Sequence, residues 1–355
     1  MKRFIIFLLT ALFIISANIY AEESVLIDFS KLAADYNPGG QGTPTENTAT
    51  MIDFSDMAGV GFTEEEKALM KTSLALRNWE VELASSSKTV RTIALSMAKG
   101  VTVKEDAKVF AGQRVLGVRV HFPQDPFNSW AMVKPPFEIP MYMQKTILQD
   151  DGSLVPDPED KQGTKFDGYG VIKNVGTIKS IAMNILGLNF PMGVELVLKD
   201  QQGDLYSYFM GYLNFDGWRQ IIWNNPNYIE EVRDRELKRQ PLYPKATPAY
   251  KLIGIRFLRD KEQEGGDFIT YIKDISMTYD RALLDLEMDI NHEEVWGILS
   301  EREASRRMAE FRKLGQLQVL RSLEQKKMHR EEPALPGTTT RGGTQPQPEE
   351  GGATQ

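Results

Sequence analysis

The sequence predicts a mainly β protein, an antiparallel β-sandwich of jelly-roll type, with one short N-terminal helix and a C-terminal amphipathic helix. Three observations support this prediction. Apolar and polar residues alternate over much of the region 79–279, turns rich in Pro and Gly separate the alternating runs, and helical periodicity is nearly absent between them. Short turns connect antiparallel strands, whereas parallel strands need long crossovers that are usually helices.

Residues 1–21 have the three-part layout of a secretory signal peptide. Lys2 and Arg3 precede an apolar run, 4–15, and small or polar residues then lead to Ala21, after which we expect cleavage. The apolar run is short for a bilayer span, and no later segment approaches the roughly 20 apolar residues that a membrane helix needs. We therefore expect an exported mature chain without a membrane span; the alternative is an uncleaved N-terminal anchor.

Composition excludes several classes of function. The chain has no cysteine, which rules out zinc ribbons, thiol redox chemistry and cysteine nucleophiles. Without Lys2 and Arg3 it keeps 40 of its 42 basic residues against 49 acidic ones, a net charge of −9. An acidic surface disfavours phosphate backbones, so we expect no nucleic-acid partner.

The N-terminal part of the mature chain predicts two short strands and one helix. Apolar runs at 25–29 and 51–54 are typical of strands. Thr63 followed by Glu66 is a capping-box pattern, which predicts a helix that begins there and ends near Asn78.

Period-two alternation identifies the main strands of the sandwich. The runs 115–122, 194–198 and 253–257 place an apolar residue at every second position. In the last strand, 267–280, the apolar phase shifts near Lys273, which predicts a β-bulge. The residues expected to face the core are Leu116, Val118, Val120, Phe122, Val194, Leu196, Leu198, Ile253, Ile255 and Phe257.

We therefore divide the mature chain into a β-sandwich domain at 22–290, a charged amphipathic helix at 291–332 and a disordered low-complexity tail at 333–355. The apolar stripe of the helix is narrow, so the helix needs a surface on which to dock. Its own sandwich and a neighbouring subunit are both open as that surface.

The sequence offers no catalytic constellation, and we predict no enzyme activity, cofactor or metal. His292 and Glu293 begin like a zincin motif, but Trp296 stands where the second histidine belongs. A structural calcium site remains an alternative to solvent-facing acids at strand ends. The aspartates concerned are Asp28, Asp53, Asp267, Asp274 and Asp280.

The segment 205–229 is the richest in aromatic residues. Both faces of its first strand carry aromatics, so we expect both faces to be covered. The turn after Trp223 is expected to be exposed. Tyr and Trp combine apolar area with a hydrogen-bonding group, which suits protein interfaces and sugar platforms alike. The candidate partner-contact residues are Trp218, Trp223, Asn224, Asn225 and Tyr228.

Three blocks of sequence resemble the spirochaetal flagellar filament outer layer protein A family. They are Val-Arg-Val-His-Phe-Pro at 118–123, Lys-Pro-Pro-Phe-Glu-Ile-Pro at 134–140, and Gly-Trp-Arg with Trp-Asn-Asn-Pro within 217–226. The resemblance extends from about Val25 to about Trp296. The last strand is also similar to that of jelly rolls of the carbohydrate-binding-module type.

The resemblance implies a structural sheath subunit of the periplasmic flagellum. Its partners would be core flagellin subunits, other filament sheath proteins and copies of itself, and its role would concern filament stiffness, curvature and motility. The alternative is a periplasmic carbohydrate-binding module in which sugar rings stack on exposed aromatic side chains. The side chains available for stacking are Trp130, Trp218, Trp223 and Tyr228.

Overall fold

A computed structural model describes residues 21–32, 47, 49–53, 62–68, 71–76, 78–141, 146–148, 154–156, 165–229, 239–240, 248–284, 290 and 292–313. The strands are β1 (Glu22–Asp28), β2 (Ile52–Asp53), β3 (Lys71–Thr72), β4 (Asn78–Leu83), β5 (Met97–Thr102), β6 (Arg114–Phe122), β7 (Ser129–Lys134), β8 (Thr146–Leu148), β9 (Leu154–Pro156), β10 (Val171–Lys173), β11 (Val175–Leu188), β12 (Gly193–Asp200), β13 (Leu205–Tyr212), β14 (Asp216–Asn224), β15 (Arg239–Gln240), β16 (Ala249–Arg259), β17 (Gly266–Arg281) and β18 (Leu283–Leu284). The helices are α1 (Glu64–Ala68), α2 (Val90–Leu95), α3 (His292–Trp296) and α4 (Ile298–Lys313).

The predicted antiparallel β-sandwich is confirmed. Within the described residues, twelve strands join in one antiparallel sheet, in the order β13-β12-β16-β7-β4-β5-β6-β17-β11-β14, with β1 paired to β17 and β10 to β16. The sheet divides at β4, because Asn78 and Trp79 pair with β5 whereas residues 80–83 pair with β7. We call the half that contains β7, β16, β12 and β13 sheet I, and the half that contains β5, β6, β17, β11 and β14 sheet II.

One apolar core lies between the two sheets. The ring centroids of Phe257 on sheet I and Phe268 on sheet II lie 5.1 Å apart, and both side chains are fully buried. Nine of the ten side chains expected in the core are buried, and Ile253 is the exception. Each fully buried aliphatic or aromatic side chain contributes roughly 1.5–3 kcal/mol.

Register shifts interrupt several pairings of the long strands, and two of them bear on the sequence predictions. Asn184 pairs with Asp274 and the next residue pairs with Ile272, so Lys273 is an extra residue and the predicted bulge is confirmed. A second bulge was not predicted. Val197 pairs with Gly254 and the next residue pairs with Leu252, which places Ile253 in the bulge and Leu252 in the core.

The short helices differ from the prediction. The N-terminal helix α1 ends at Ala68 rather than near Asn78, because the apolar residues Leu74 and Leu76 are buried in the following turns. Helix α2 was missed. Its cap is local and reciprocal, since the Thr92 backbone N–H donates to Thr89 Oγ1 at 3.1 Å and the Thr89 N–H donates to Thr92 Oγ1 at 2.8 Å.

The C-terminal amphipathic helix is present but interrupted. Gly297, at a φ of +58°, separates α3 from α4, a conformation that glycine adopts at little cost. Residues 314–332 of the expected helix lie outside the described residues, as do the tail at 333–355 and most of the signal peptide. Among the described helices, none has the length and apolar character that a bilayer crossing requires.

The two sides of the sandwich differ in how their edges end. On the sealed side, β4 runs through both sheets at one end. At the other end β1 and β10 meet, where the Gly170 N–H donates to the Leu26 carbonyl at 2.6 Å and Tyr169 bridges to Ile27. On the open side, β13 and β14 are the two ends of the strand order, and within the described chain each pairs with a single strand.

Candidate interaction surface

The open side brings the aromatic segment 205–229 together. β13 is the last strand of sheet I and β14 the last strand of sheet II, and residues 213–215 connect them. The two strands contact each other through side chains rather than through a backbone ladder. The centroids of Tyr208 on β13 and Trp223 on β14 lie 4.7 Å apart at an interplanar angle of 65°.

Two half-buried tyrosines, Tyr208 and Tyr250, lie between the sheets at this side, and Tyr206 beside them is 39% exposed. Tyr208 pairs with Leu196 and Tyr206 with Leu198, so both follow the core-facing register of β12. The ring of Tyr206 meets that of Tyr250 at 5.9 Å. Burial, with smaller contributions from Tyr206 and Asp200, raises the pKa of Tyr250 to about 12, so its phenol stays protonated at neutral pH.

The outer face of β13 carries an exposed apolar surface, which we call the β13 patch (Leu205, Phe209 and Tyr212). These side chains are 64%, 41% and 47% exposed. They pair across to the outward positions of β12, and the Phe209 and Tyr212 rings meet edge-on at 5.3 Å. The expectation that both faces of this strand are covered is therefore wrong, because β13 is an edge strand with nothing described above its outer face.

The outer face of β14 is partly covered by a strained loop. Phe110 adopts a φ of +56°, which is rare for a bulky residue and costs on the order of 1–3 kcal/mol. Its ring meets the half-buried Trp218 edge-on at 5.0 Å, and the Lys273 ammonium lies 5.7 Å from its centroid. Ile222, on the same face, stays 50% exposed.

The turn after β14 is fastened to its own domain. Asn224 is exposed, as expected, but the Asn225 side-chain amide donates to the Ile178 carbonyl at 2.8 Å and its Oδ1 accepts from the Asn227 N–H at 3.0 Å. The Tyr228 hydroxyl donates to Asp280 Oδ1 at 3.0 Å. Asn225 and Tyr228 thus have a structural role, and their contact with a partner stays a prediction.

The rings proposed for sugar stacking are already engaged by other side chains. Arg256 lies over Trp130 at 5.5 Å, and Lys179 lies over Tyr228 at 5.3 Å. Trp218 and Trp223 meet Phe110 and Tyr208 at steep angles, as described above. Sugar platforms use coplanar open rings, whereas each of these four rings packs against another side chain of the same chain.

Four of the five aspartates considered for calcium, all except Asp53, have partners from the protein itself. Lys273 Nζ lies 2.9 Å from both Asp28 Oδ2 and Asp274 Oδ2. Asp267 accepts two hydrogen bonds from Arg119 at 3.1 Å, which lower the pKa of its carboxyl, and it lies 3.0 Å from His121 Nδ1. In the part of the chain that the structure describes, no group of three or more acidic or histidine side chains has metal-site spacing.

The Lys-Pro-Pro-Phe-Glu-Ile-Pro block anchors sheet I beside β13. Glu138 Oε1 lies 2.9 Å from both Lys199 Nζ and the buried Lys251 Nζ. Burial of the Glu138 carboxyl opposes its ionisation, but the two ammonium groups outweigh this effect and lower its pKa to about 2. Lys199 pairs across the sheet with Leu205, so the block supports the start of β13.

Phe209 and Tyr212 are exposed, but they are not among the partner-contact residues predicted from the sequence. Both lie in the segment singled out from the sequence, but they are three residues apart and share a face only because the register of β13 shifts at Met210. Alternation also looks the same in a buried strand and in an edge strand. Only the strand order identifies β13 as an edge, and that order depends on pairings far apart in sequence.

Solved structures with a similar arrangement of strands include carbohydrate-binding modules. A module of the β-sandwich superfamily with promiscuous specificity aligns over 66% of this chain and 62% of its own, at 12% identity and a TM-score of 0.28. A family 11 module from a Clostridium thermocellum cellulase aligns over 59% and 91%, at 10% identity and a TM-score of 0.23. These scores are too low to carry an argument about function.

Curated relatives are far more similar. The flagellar filament outer layer protein of Spirochaeta aurantia is 49% identical over 93% of this chain and 94% of its own. That of Treponema pallidum is 45% identical over 93% and 94%, and that of Borreliella burgdorferi is 31% identical over 77% and 74%. The profile of the family "Flagellar filament outer layer protein Flaa" matches residues 43–288. The chain therefore belongs to the flagellar filament outer layer protein family.

Proposed function

We propose that this protein is a non-enzymatic outer-layer subunit that is exported to the periplasm and coats the flagellar filament there. Membership of the family supports the outer-layer role. The export signal supports the compartment, since cleavage after Ala21 leaves a mature chain that begins at the first residue of β1. In this proposal the sheath associates with core flagellin subunits and with other sheath proteins.

The observation that carries the proposal is the open side. Among the described residues, β13 and β14, of eight and nine residues, each pair along one edge only, next to the exposed β13 patch. Unpaired edges and exposed aromatic side chains are features of surfaces that contact other proteins. A subunit attached through this side presents a sandwich whose core links both sheets, which adds bending resistance to the filament and biases its curvature where coverage is uneven.

The test replaces the patch and follows the filament. A variant with Phe209→Asp and Tyr212→Asp is expected to fold and to be exported but to be lost from purified filaments, because two charges replace the apolar contact surface. The matched control is Val90→Asp on α2, a site 89% exposed on a different part of the molecule, which should leave the amount on filaments unchanged.

Imaging of the filaments completes the test. Filaments from cells with the patch variant should change helical pitch as filaments from a deletion strain do. Wild-type amounts of the folded patch variant on filaments would refute the contact role of the open side. A deletion strain with unchanged filament pitch and swimming would refute the mechanical role.

A further inference from the structure

We propose that the loop 103–113 is a strap that covers part of the open side in the free subunit and opens when the subunit attaches to the filament. The strap connects β5 to β6, and it meets the open side through the ring pair of Phe110 and Trp218. This inference rests on the proposed role of the open side and concerns the regulation of that surface.

The strap reaches across sheet II to its last strand. Its two ends lie on β5 and β6, whereas Trp218 lies on β14, and β17 and β11 stand between β6 and β14 in the strand order. Neighbouring strands are about 4.8 Å apart, so the step from β6 to β14 covers roughly 14 Å. The Phe110 ring nevertheless meets the Trp218 ring at 5.0 Å. The strap therefore extends well beyond its own hairpin.

The backbone hydrogen bonds of the strap join its own residues. The Val103 N–H donates to the Gln113 carbonyl at 2.9 Å, and the Gly112 N–H donates back to the Val103 carbonyl at 3.2 Å. The strap also exposes four charged residues, Lys104, Glu105, Asp106 and Lys108. Segments with exposed side chains and few buried apolar contacts open locally at a lower free energy than the core. The strap can thus move away from β14 as one unit and keep these bonds.

Two opposing effects act on the closed state. Phe110 holds a φ of +56°, a conformation that a bulky residue leaves with a gain in free energy. Against this, its ring gains the edge-on contact with Trp218 and lies 5.7 Å from the Lys273 ammonium. The closed and open states therefore differ less in free energy than the ring contacts alone would give. A surface that competes for Trp218 can open the strap.

Opening the strap enlarges the apolar surface of the open side. Leu188 on β11 and Ile222 on β14 are 42% and 50% exposed. They share the outer face with Trp218, because Leu186 pairs with Trp218 and Ala182 with Ile222. Trp side chains are enriched among the residues that dominate the energy of protein interfaces. The open subunit therefore offers the filament an indole that the closed strap partly covers.

Two substitutions of Phe110 test the closed state. Phe110→Ala removes the ring and keeps the cost of the positive φ, whereas Phe110→Gly removes both, since glycine adopts such a φ at little cost. Loss of the ring contact should shift the closed-to-open ratio about two- to tenfold toward the open state. The shift should be larger in Phe110→Ala than in Phe110→Gly.

Acrylamide quenching of the Trp218 fluorescence measures this shift in the full mature chain. The Trp218 signal is obtained as the difference from matched chains that carry Trp218→Phe. Unchanged quenching in Phe110→Ala would contradict the strap. Equal quenching in the two Phe110 variants, which loss of the ring alone would give, overturns the inference as well.

A reversible lock tests whether attachment needs the open strap. The chain has no cysteine, so Val109→Cys and Gln220→Cys place its only two thiols at exposed positions on the strap and on β14. A short bis-thiosulfonate linker joins them through two disulfides, which holds the strap closed, and reduction releases it. The purified mature chain is added to filaments from a deletion strain, and sedimentation gives the bound amount.

The locked chain should bind these filaments about tenfold more weakly or worse, because the indole stays covered. Reduction of the same sample should restore binding to that of the wild-type chain. Equal binding before and after reduction overturns the inference. Phe110→Ala should bind at least as tightly as the wild-type chain, and weaker binding would mean that the closed ring itself contacts the filament, which also overturns the inference.

The same filaments separate this inference from the proposed function. A wild-type chain that does not bind them overturns the proposed function and this inference with it. A wild-type chain that binds, together with a locked chain that binds equally well, overturns the inference alone and leaves the outer-layer role in place.

Discussion

The sealed and open sides of the sandwich differ in how their edge strands are paired. On the sealed side both sheets share β4, and the residues there, such as Leu83 and Ile27, are buried. On the open side β13 and β14 end in solvent, and Phe209 and Ile222 are exposed. Neither strand contains Lys or Pro, although β14 carries Asp216 and Arg219 and β13 has a bulge, features that limit further pairing at an edge. The sealed side therefore buries its residues in the core, and the open side is the surface that we propose for association.

The largest expected difference is in the free energy of unfolding, between a variant of an aromatic residue on the sealed side and one on the open side. Trp79 on β4 is 5% exposed, packs edge-on against Phe29 at 5.2 Å and donates from Nε1 to the Leu74 carbonyl at 3.2 Å. Trp79→Ala should lower the free energy of unfolding by about 3–5 kcal/mol, since it leaves a cavity. Phe209→Ala on the open side should cost less than about 1 kcal/mol. Urea unfolding followed by circular dichroism measures the free energy of unfolding of both variants. Equal losses in the two variants would contradict the difference between the two sides.

An intermediate effect is expected at Glu138, beneath the open side. Its pKa is lowered to about 2, so its contribution to stability is present above the ordinary value of 4.5 and is lost as the pH falls from 4.5 toward 2. Glu138→Gln should cost on the order of 1–2 kcal/mol at pH 7, a value reduced because the carboxyl is 38% exposed. The difference should shrink at pH 3. Thermal unfolding at both pH values measures it, and a pH-independent difference would contradict this electrostatic origin.

The smallest effect is expected at the turn after β14. Tyr228→Phe removes the hydrogen bond to Asp280 and should lower the free energy of unfolding by about 1 kcal/mol. The control is Tyr212→Phe, whose hydroxyl makes a long, exposed contact with Asp260 and should have almost no effect. Denaturant unfolding of both variants decides whether the turn is structural, and equal effects would argue that it is not.

The sequence predicted the strands well because alternation is a local property. The runs at β6 and β12 needed only the burial of every second residue, and the Lys273 bulge was visible as a phase change within one strand. Ile253 was misplaced, since it continues the alternation of Ile255 and Phe257, and only the bulge moves the core position to the neighbouring Leu252. The helix from Thr63 ended early because tertiary burial of Leu74 outweighed local helix preference.

The interaction surface was predicted only in part. The aromatic segment was located correctly, but which of its residues are exposed depends on the strand order, which is set by contacts between distant residues. Asn225 and Tyr228 look available in the sequence because Asn is common in turns, yet both bond to elements about 50 residues away. The ring of the half-buried Trp218 packs against that of Phe110. Phe110 lies more than 100 residues earlier in the chain, so no local sequence pattern predicts this contact.

The pairing of β1 with β17 has a consequence for biogenesis. Glu22 pairs with Tyr279 and forms an ion pair with Arg281, so the first strand of the sandwich finds its neighbour about 250 residues later. Contacts at such separation form slowly. In a polypeptide that passes through a secretion channel N-terminus first, β1 would cross long before β17. It would have no pairing partner until nearly the whole domain had crossed. In an exported chain, the β1–β17 ladder would then close after the rest of the domain had crossed.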